Sequence, residues 1–516
     1  GEYDCLISDL IDDTDSAISF CKENPLLFNM EYIYEADEDI LGLIYISCKN
    51  IGNRKATGSY YTSTKVVKNL ISRLSFQEPV KVLDPCCGTG NFLLQLPDVL
   101  PFDSIYGNDI DAASVKITRL NMALKYNVPV AAIYEHITGQ DYLTDYAEKD
   151  FQYIIGNPPW GYDFSEEEKS QLRTIYKSAT GKNIESYDVF IEQALNHLTD
   201  NGHLAYVLPE AILNVKAHTN IRKTILENCS IKNLVFLGNA FDGVQCPCII
   251  LDLQCTRSPL STVGMNVNTG TASFTINIER TVSAEYFSFT TSDAEYNVLC
   301  KIRSMPNSAY LLDNADFALG IVTGNNKEYI SDIKNENNEM ILKGADICKY
   351  HITRTNNYIV FKPENFQQAA PTEMYRSPEK LLYRFISSQL VFAYDDKQTL
   401  SLNSCNIVIP RLPGIKIKYV LAILNSRIAQ FIYKKEFNSV KVLRSHIENI
   451  PIPTADVSTQ AEIIALTDKL ISVLQAAEAE KVYDELDLLV SKAFNLDSNE
   501  IEIINKAVEG DNKFLA

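Results

Sequence analysis

Asn157-Pro158-Pro159-Trp160 brings together a side-chain amide, a backbone carbonyl followed by a residue without an N–H, and a flat aromatic ring. Such a group can grip a planar base that carries an exocyclic amine, with two acceptors for the amine hydrogens and a ring for stacking. Taken alone the tetrapeptide also reads as a proline-stiffened strand end with a surface tryptophan. At average proline usage a motif this strict arises by chance in on the order of one chain in a hundred. Three acids accompany it. Asp84 closes the run Val80-Lys81-Val82-Leu83 and precedes Pro85-Cys86-Cys87-Gly88-Thr89-Gly90, whose glycines permit a tight turn and close approach by a ligand. Asp109 lies a little over twenty residues beyond that loop, a spacing that suits the two hydroxyls of a ribose. Asp141 stands ahead of the strand that leads to Asn157.

The elements that must position these groups follow from hydrophobic pattern. Val80–Asp84, Ser104–Asn108 and Phe151–Gly156 read as buried strands, and Phe92–Leu96 begins a helix after the glycine loop. Further on come a helix around Asp188–Leu198, a strand His203–Leu208, a helix around Asn220–Asn228, and strands Ile231–Leu237 and Pro247–Leu253. Alternating strands and helices predict a doubly wound parallel sheet, in which ligands sit at the carboxyl ends of the strands. Each candidate residue falls at such an end. Beyond about Ala309 the texture turns to short β-rich segments with Asn-rich connections, and Leu6, Leu10, Ile11 and Ile18 space an amphipathic amino-terminal helix.

With these motifs in this order the chain resembles the S-adenosylmethionine-dependent amino-methyltransferases of DNA, and within them the gamma-class, TaqI-like adenine-N6 enzymes of restriction-modification systems. Thr57-Gly58-Ser59-Tyr60-Tyr61-Thr62 resembles their motif ahead of the glycine loop, and Asp39-Ile40-Leu41-Gly42-Leu43-Ile44-Tyr45 the helix before it. The likeness covers residues 38–255 with specific motifs. It continues more loosely to about 453, through Gly320-Ile321-Val322-Thr323-Gly324-Asn325 and Ile450-Pro451-Ile452-Pro453. Two features depart from the pattern: Trp160 stands where tyrosine or phenylalanine is usual, and Cys86-Cys87 fill the loop's variable positions.

The resemblance implies an α/β fold with a doubly wound, mostly parallel Rossmann-like sheet closed by an antiparallel member, an α+β carboxyl-terminal target-recognition domain, and helical termini. It divides the chain into 1–50, a methyltransferase domain 51–300, a recognition domain 301–454 and a helical segment 455–516. It implies that Asn157 and Pro158 hold the amine of a flipped adenine, with Trp160 on one face of the base and Phe241 on the other. It assigns S-adenosylmethionine to Tyr60, Tyr61 and Thr62 at the methionine end, with Asp84, Gly88 and Gly90 beside them. Asp109 then takes the ribose, Ile110 the adenine ring and Asp141 its amine, next to Tyr142.

Composition agrees with such a protein. The 516 residues suffice for two or three domains, and no run of eighteen apolar residues and no signal peptide is seen. Twelve cysteines without paired CxxC spacing, six histidines and no HExxH predict reduced thiols and no metal site. The net charge of −19 sits at the ends: residues 1–50 carry −10, residues 455–516 carry −8, and the stretch between carries −1. The middle can thus present a basic face to DNA, and Lys416, Lys418, Arg427, Lys434, Lys435, Lys441 and Arg444 read as phosphate contacts. The expected protein is a cytoplasmic, bacterial monomer that acts on double-stranded DNA and works beside a cognate restriction endonuclease. Rival readings are a methyltransferase for RNA bases or protein glutamine, an inactive DNA-binding specificity subunit, and a fused restriction enzyme. The chain starts at Gly1 without methionine, as a trimmed fragment or tag scar would.

Overall fold

A computed structural model describes residues 3–11, 13–29, 37–48, 61–76, 80–241, 245–353, 355–437, 439–472 and 476–510. The chain forms two compact units, Gly1–Thr290 and Thr291–Ala516.

The first unit is built on nine strands: β1 (Val82–Asp84), β2 (Ile105–Asn108), β3 (Ile137–Thr138), β4 (Phe151–Gly156), β5 (Leu198–Pro209), β6 (Cys229–Gly238), β7 (Cys248–Cys255), β8 (Met265–Asn268) and β9 (Ser273–Ile276). Their order is β3-β2-β1-β4-β5-β7-β6-β8-β9. The first five run parallel, and the order reverses between β1 and β4, the point where a doubly wound sheet opens a crevice. Val82, Leu83, Ile105, Ile137, Ile154 and Ile155 are fully buried, each contributing about 1.5–3 kcal/mol, so the apolar runs that mark strands also form the core.

The sheet does not end where the sequence placed its end. β7 inserts antiparallel between β5 and β6, and β6 then pairs with β8, which turns back into β9. Met265 and Val267 face the core while Asn266 is exposed, so the hairpin covers the outer edge of β6 with a period-two pattern in polar-rich sequence. The amino-terminal segment is helical as expected, over Asp4–Asp9 and Thr14–Glu23, but its apolar spacing does not mark a buried face. Of Leu6, Leu10, Ile11 and Ile18, only Leu6 is buried.

In the second unit, Ala315–Ala318, Cys405–Pro410, Lys380–Arg384 and Phe392–Asp395 form an antiparallel sheet. A further small sheet joins Ile330–Ser331, Tyr358–Ile359, Glu339–Leu342 and Leu400–Ser401. Helices Val457–Ser472 and Ala476–Ala493 bury Ile463, Leu466, Leu470, Tyr483 and Leu486 in one core with helix Ile417–Asn425.

These carboxyl-terminal helices also change the reading of the basic run. Lys418 meets Asp468 (2.6 Å), Arg427 meets Asp484 (2.6 Å), Lys435 meets Glu295 (2.8 Å) and Arg444 meets Glu448 (2.7 Å). Four of the seven cations are therefore neutralised within their own unit, and the run is not the uniform phosphate-binding stripe expected from sequence. Whatever each pair contributes to stability, it cancels charge that counterion release requires. Among the described residues no helix is long and apolar enough to cross a membrane.

Candidate active site

β1 ends at Asp84, and its carboxyl lies against the end of β4. A Cβ on Gly156 would sit 2.6 Å from Asp84 Oδ1, and Gly156 has φ +143°, so only glycine lets the two strand ends approach this closely. Asp84 Oδ1 accepts from the Cys86 N–H (3.2 Å), and Oδ2 is buried without a partner. Burial, with the charge of Asp109 nearby, pushes this carboxyl well above the usual range.

The glycine loop is pinned on three sides. Cys87 donates to the Asn108 carbonyl (2.9 Å), Thr118 Oγ1 to the Gly88 carbonyl (2.7 Å), and the Gly88 N–H to Asp109 Oδ2 (2.8 Å). Asp109 Oδ1 accepts from the Asp111 N–H (2.8 Å), so Asp109 organises the loop and the turn after β2 together. Asp141 caps its own turn by accepting from Leu143 (2.8 Å). The neighbouring Tyr142 is buried with its hydroxyl unpartnered, and burial raises that phenol well above its ordinary value.

These pieces enclose a cavity of about 450 Å³. Tyr61, Thr62, Gly88, Asp109 and Ile110 line it on one side of the strand ends, and Asp141, Tyr142 and Asn157 complete the set of expected residues in its wall. Asp84 and Gly90 stand behind the lining, and Tyr60 lies outside the described residues. Nothing lies within 4 Å of where a Cβ on Gly88 would point, so a side chain there would enter the cavity. The size suits a nucleoside ligand, and a wall that carries the carboxylates of Asp109 and Asp141 with the unpartnered polar atoms of Tyr142 and Asn157 fits S-adenosylmethionine.

Asn157 is held in a particular way. Its Nδ2 donates to Thr62 Oγ1 (3.0 Å), while its Oδ1 is buried and unpartnered. Thr62 is fixed in turn, because Asn91 Nδ2 donates to its carbonyl (2.7 Å). Ser186, at the start of helix Ser186–His197, donates to the Pro159 carbonyl (2.5 Å) and steadies the turn after Asn157. Asn91 and Ser186 carry no sequence signal, since their partners lie 29 and 27 residues away.

Trp160 and Phe241 come together, although not as two walls of a slot. Both are buried, and their rings meet edge to face with centroids 4.9 Å apart at 83°. A sandwiched base needs about 7 Å between parallel rings, twice a carbon–carbon contact of about 3.5 Å. The expected arrangement is therefore not the one adopted here: each ring fills the space a base would need. Pro158, Trp160 and Phe241 are not among the residues lining the 450 Å³ cavity.

Comparison with known proteins agrees with this geometry. Residues 36–276 match the N-6 DNA Methylase family, and residues 339–452 match the TaqI-like C-terminal specificity domain, together more than half of the chain. The chain is 28% identical over 330 residues to the type II methyltransferase M.VspI of Vibrio sp. (strain 343), covering 63% of this chain and 79% of that protein. It is 30% identical over 171 residues to the type II methyltransferase M.CvrRI of Paramecium bursaria Chlorella virus XZ-6E, covering 32% of this chain and 40% of the viral protein. The fold is similar to that of the type IIL restriction-modification enzyme MmeI in complex with DNA, with TM-score 0.57, 13% identity, and coverage of 91% of this chain and 81% of that one.

Proposed function

Because the chain belongs to the N-6 DNA methylase family and carries a TaqI-like specificity domain, we propose that it transfers a methyl group from S-adenosylmethionine to the N6 amine of an adenine rotated out of duplex DNA. The observation that carries this reading is the buried, unpartnered Oδ1 of Asn157 beside the cavity at the carboxyl end of β4. A buried carbonyl without a donor costs about 1–3 kcal/mol, and an amine arriving there removes that cost.

S-adenosylmethionine, when bound, supplies an electrophilic methyl on a positively charged sulfur. Asp109 would hold its ribose hydroxyls, Ile110 its ring and Asp141 its amine, while Tyr60, Tyr61 and Thr62 would flank the methionine end. The amine of adenine is a weak nucleophile because its lone pair is delocalised into the ring. Asn157 Oδ1 and the Pro158 carbonyl would accept its two hydrogens and turn the lone pair toward the methyl, so catalysis rests on position and fixed dipoles. The nitrogen would gain the methyl as the methyl carbon–sulfur bond breaks, leaving the thioether S-adenosylhomocysteine, and one N6 proton would pass to solvent; Asn157, a neutral amide, orients the amine and does not take that proton. Residues 301–454 would read the DNA site. The base must leave the duplex to reach this depth, and stacking on Trp160 would return about 1–3 kcal/mol.

Sequencing of modified bases in DNA from cells expressing the protein tests the reading: N6-methyladenine is expected in one sequence context, and its absence would sink it. Two further results are expected. Trp160 is the single tryptophan, so its fluorescence reports the base site without labelling. Cognate duplex should change its emission as Phe241 withdraws and a base stacks, whereas duplex lacking the site should not. Identical spectra with both would remove Trp160 from the base site. Thr62→Val, which takes away the acceptor for Asn157 Nδ2, should lower kcat about 3- to 10-fold, the worth of one neutral hydrogen bond. Thr62→Ser, which keeps the hydroxyl that accepts from Asn157, should restore the rate. A normal kcat in Thr62→Val would remove the Thr62 hydroxyl from the positioning of Asn157.

A further inference from the structure

We propose that helix Ile40–Cys48 is part of the cofactor site, locked to the glycine loop by Asp39 and closing the ribose end of the cavity through Tyr45 and Ile46. This rests on the reading of the cavity as the S-adenosylmethionine site.

The joint is made by a carboxylate with no exposure. Asp39 accepts from the Gly42 N–H (2.8 Å), which caps the helix, and from Asn121 Nδ2 (2.8 Å) on helix Ala112–Lys125. It also accepts from Thr89 Oγ1 in the glycine loop. Asn121 Nδ2 donates to the Thr89 carbonyl as well (2.8 Å), so both the side chain and the backbone of Thr89 are fixed. Burial raises the Asp39 carboxyl and the three donors oppose that shift. An apolar residue at position 39 would leave those donors buried and unmet.

The helix runs on the loop with no space for a side chain between them. A Cβ on Gly42 would lie 2.0 Å from Asp39 Oδ2 and 2.1 Å from Thr89 Oγ1. Three and four residues along, on the same face, Tyr45 and Ile46 reach the cavity end of the helix. Tyr45 Oη donates to Asp111 Oδ2 (2.8 Å), which also accepts from Ser114 Oγ (2.7 Å), and Ile46 lines the cavity itself. Asp111 follows Ile110 and is the N-cap residue of helix Ala112–Lys125, so Tyr45 bears on the turn that would hold the ribose. A tether for folding alone requires Asp39 and Gly42; it does not require a hydroxyl on a cavity carboxylate or an aliphatic chain in the cavity wall.

The test is calorimetric titration of the full chain with S-adenosylhomocysteine and with 5′-methylthioadenosine, which lacks the amino-acid end, beside thermal melts of each apo variant. Tyr45→Phe and Ile46→Ala should each weaken both ligands by the same factor, about 3- to 10-fold, with the apo melting temperature unchanged. Gly42→Ala, which forces the helix off the loop, should weaken both by more; if it fails to fold, the two milder variants still decide. Unchanged affinity for both ligands in folded Tyr45→Phe and Ile46→Ala overturns the inference, as does a loss confined to S-adenosylhomocysteine, which would put the helix at the methionine end. Wild-type protein that binds neither ligand would overturn the cofactor reading itself, a result distinct from unchanged variants.

Discussion

Asn157→Ala is expected to slow methyl transfer by at least about 10²- to 10³-fold, the usual cost of removing one fixed dipole aimed at a reacting group, while S-adenosylmethionine affinity stays within a few-fold. The size of the effect follows from how the amide is set. Its Nδ2 is engaged by Thr62, so the oxygen can turn nowhere but into the site, where it is buried without a partner. Alanine leaves the Pro158 carbonyl as the single acceptor, and one acceptor cannot hold both amine hydrogens. The cavity wall near Asp109 and Ile110 is untouched by the change, so cofactor binding is spared. Single-turnover methylation of unmodified genomic DNA measures the first effect and calorimetry the second. A rate near wild type would end the assignment of Asn157 to the amine.

The parts of this site that were legible in sequence are those whose signal is local. A β-branched run followed by an acid and a glycine turn announces β1 and its loop, because period and turn chemistry lie within fifteen residues of each other. The same holds for β4 and Asn157. What stayed hidden is what the fold brings from afar. Thr62 reaches Asn157 across 95 residues, and Asp39 reaches Thr89 across 50, with no spacing rule to connect them. The hairpin β8–β9 was missed because Asn, Thr and Ser outnumber apolar residues in it, and its two buried positions in β8, Met265 and Val267, are too few to outweigh them. The basic run misled for an electrostatic reason. Charge counted along the chain ignores carboxylates delivered from other elements, here Asp468 and Asp484 from helices the sequence set apart as an acidic tail. Trp160 and Phe241 show the opposite limit: the motif offers them as the two faces around a base, whereas the rings pack edge to face against each other.

Asp109→Ala should be the most damaging single change for cofactor binding. Its carboxylate already accepts from the Gly88 and Asp111 N–H groups at 2.8 Å each, one on each oxygen. An ionised carboxylate offers about four acceptor sites, so these two N–H donors do not exhaust it, and the ribose hydroxyls would be added to them. Hydrogen bonds to a charged group contribute about 1.5–3 kcal/mol apiece, so losing two weakens binding by about 10²- to 10⁴-fold. The alanine variant has a second effect, because the Gly88 N–H loses its acceptor and the loop is less well held. Asp109→Asn separates the two: the amide oxygen can still accept from one backbone N–H, but its NH₂ faces the other donor and its charge is gone. Affinity for the asparagine variant should therefore fall between wild type and alanine, with a smaller loss of apo thermal stability than alanine shows. Were alanine to bind S-adenosylmethionine as wild type does, Asp109 would be a cap for the strand end and its loop, and the ribose would need another partner. Asp111 is another carboxylate in the cavity wall, and because Tyr45 and Ser114 donate to it, that outcome would also predict a stronger effect of Tyr45→Phe than the one expected here.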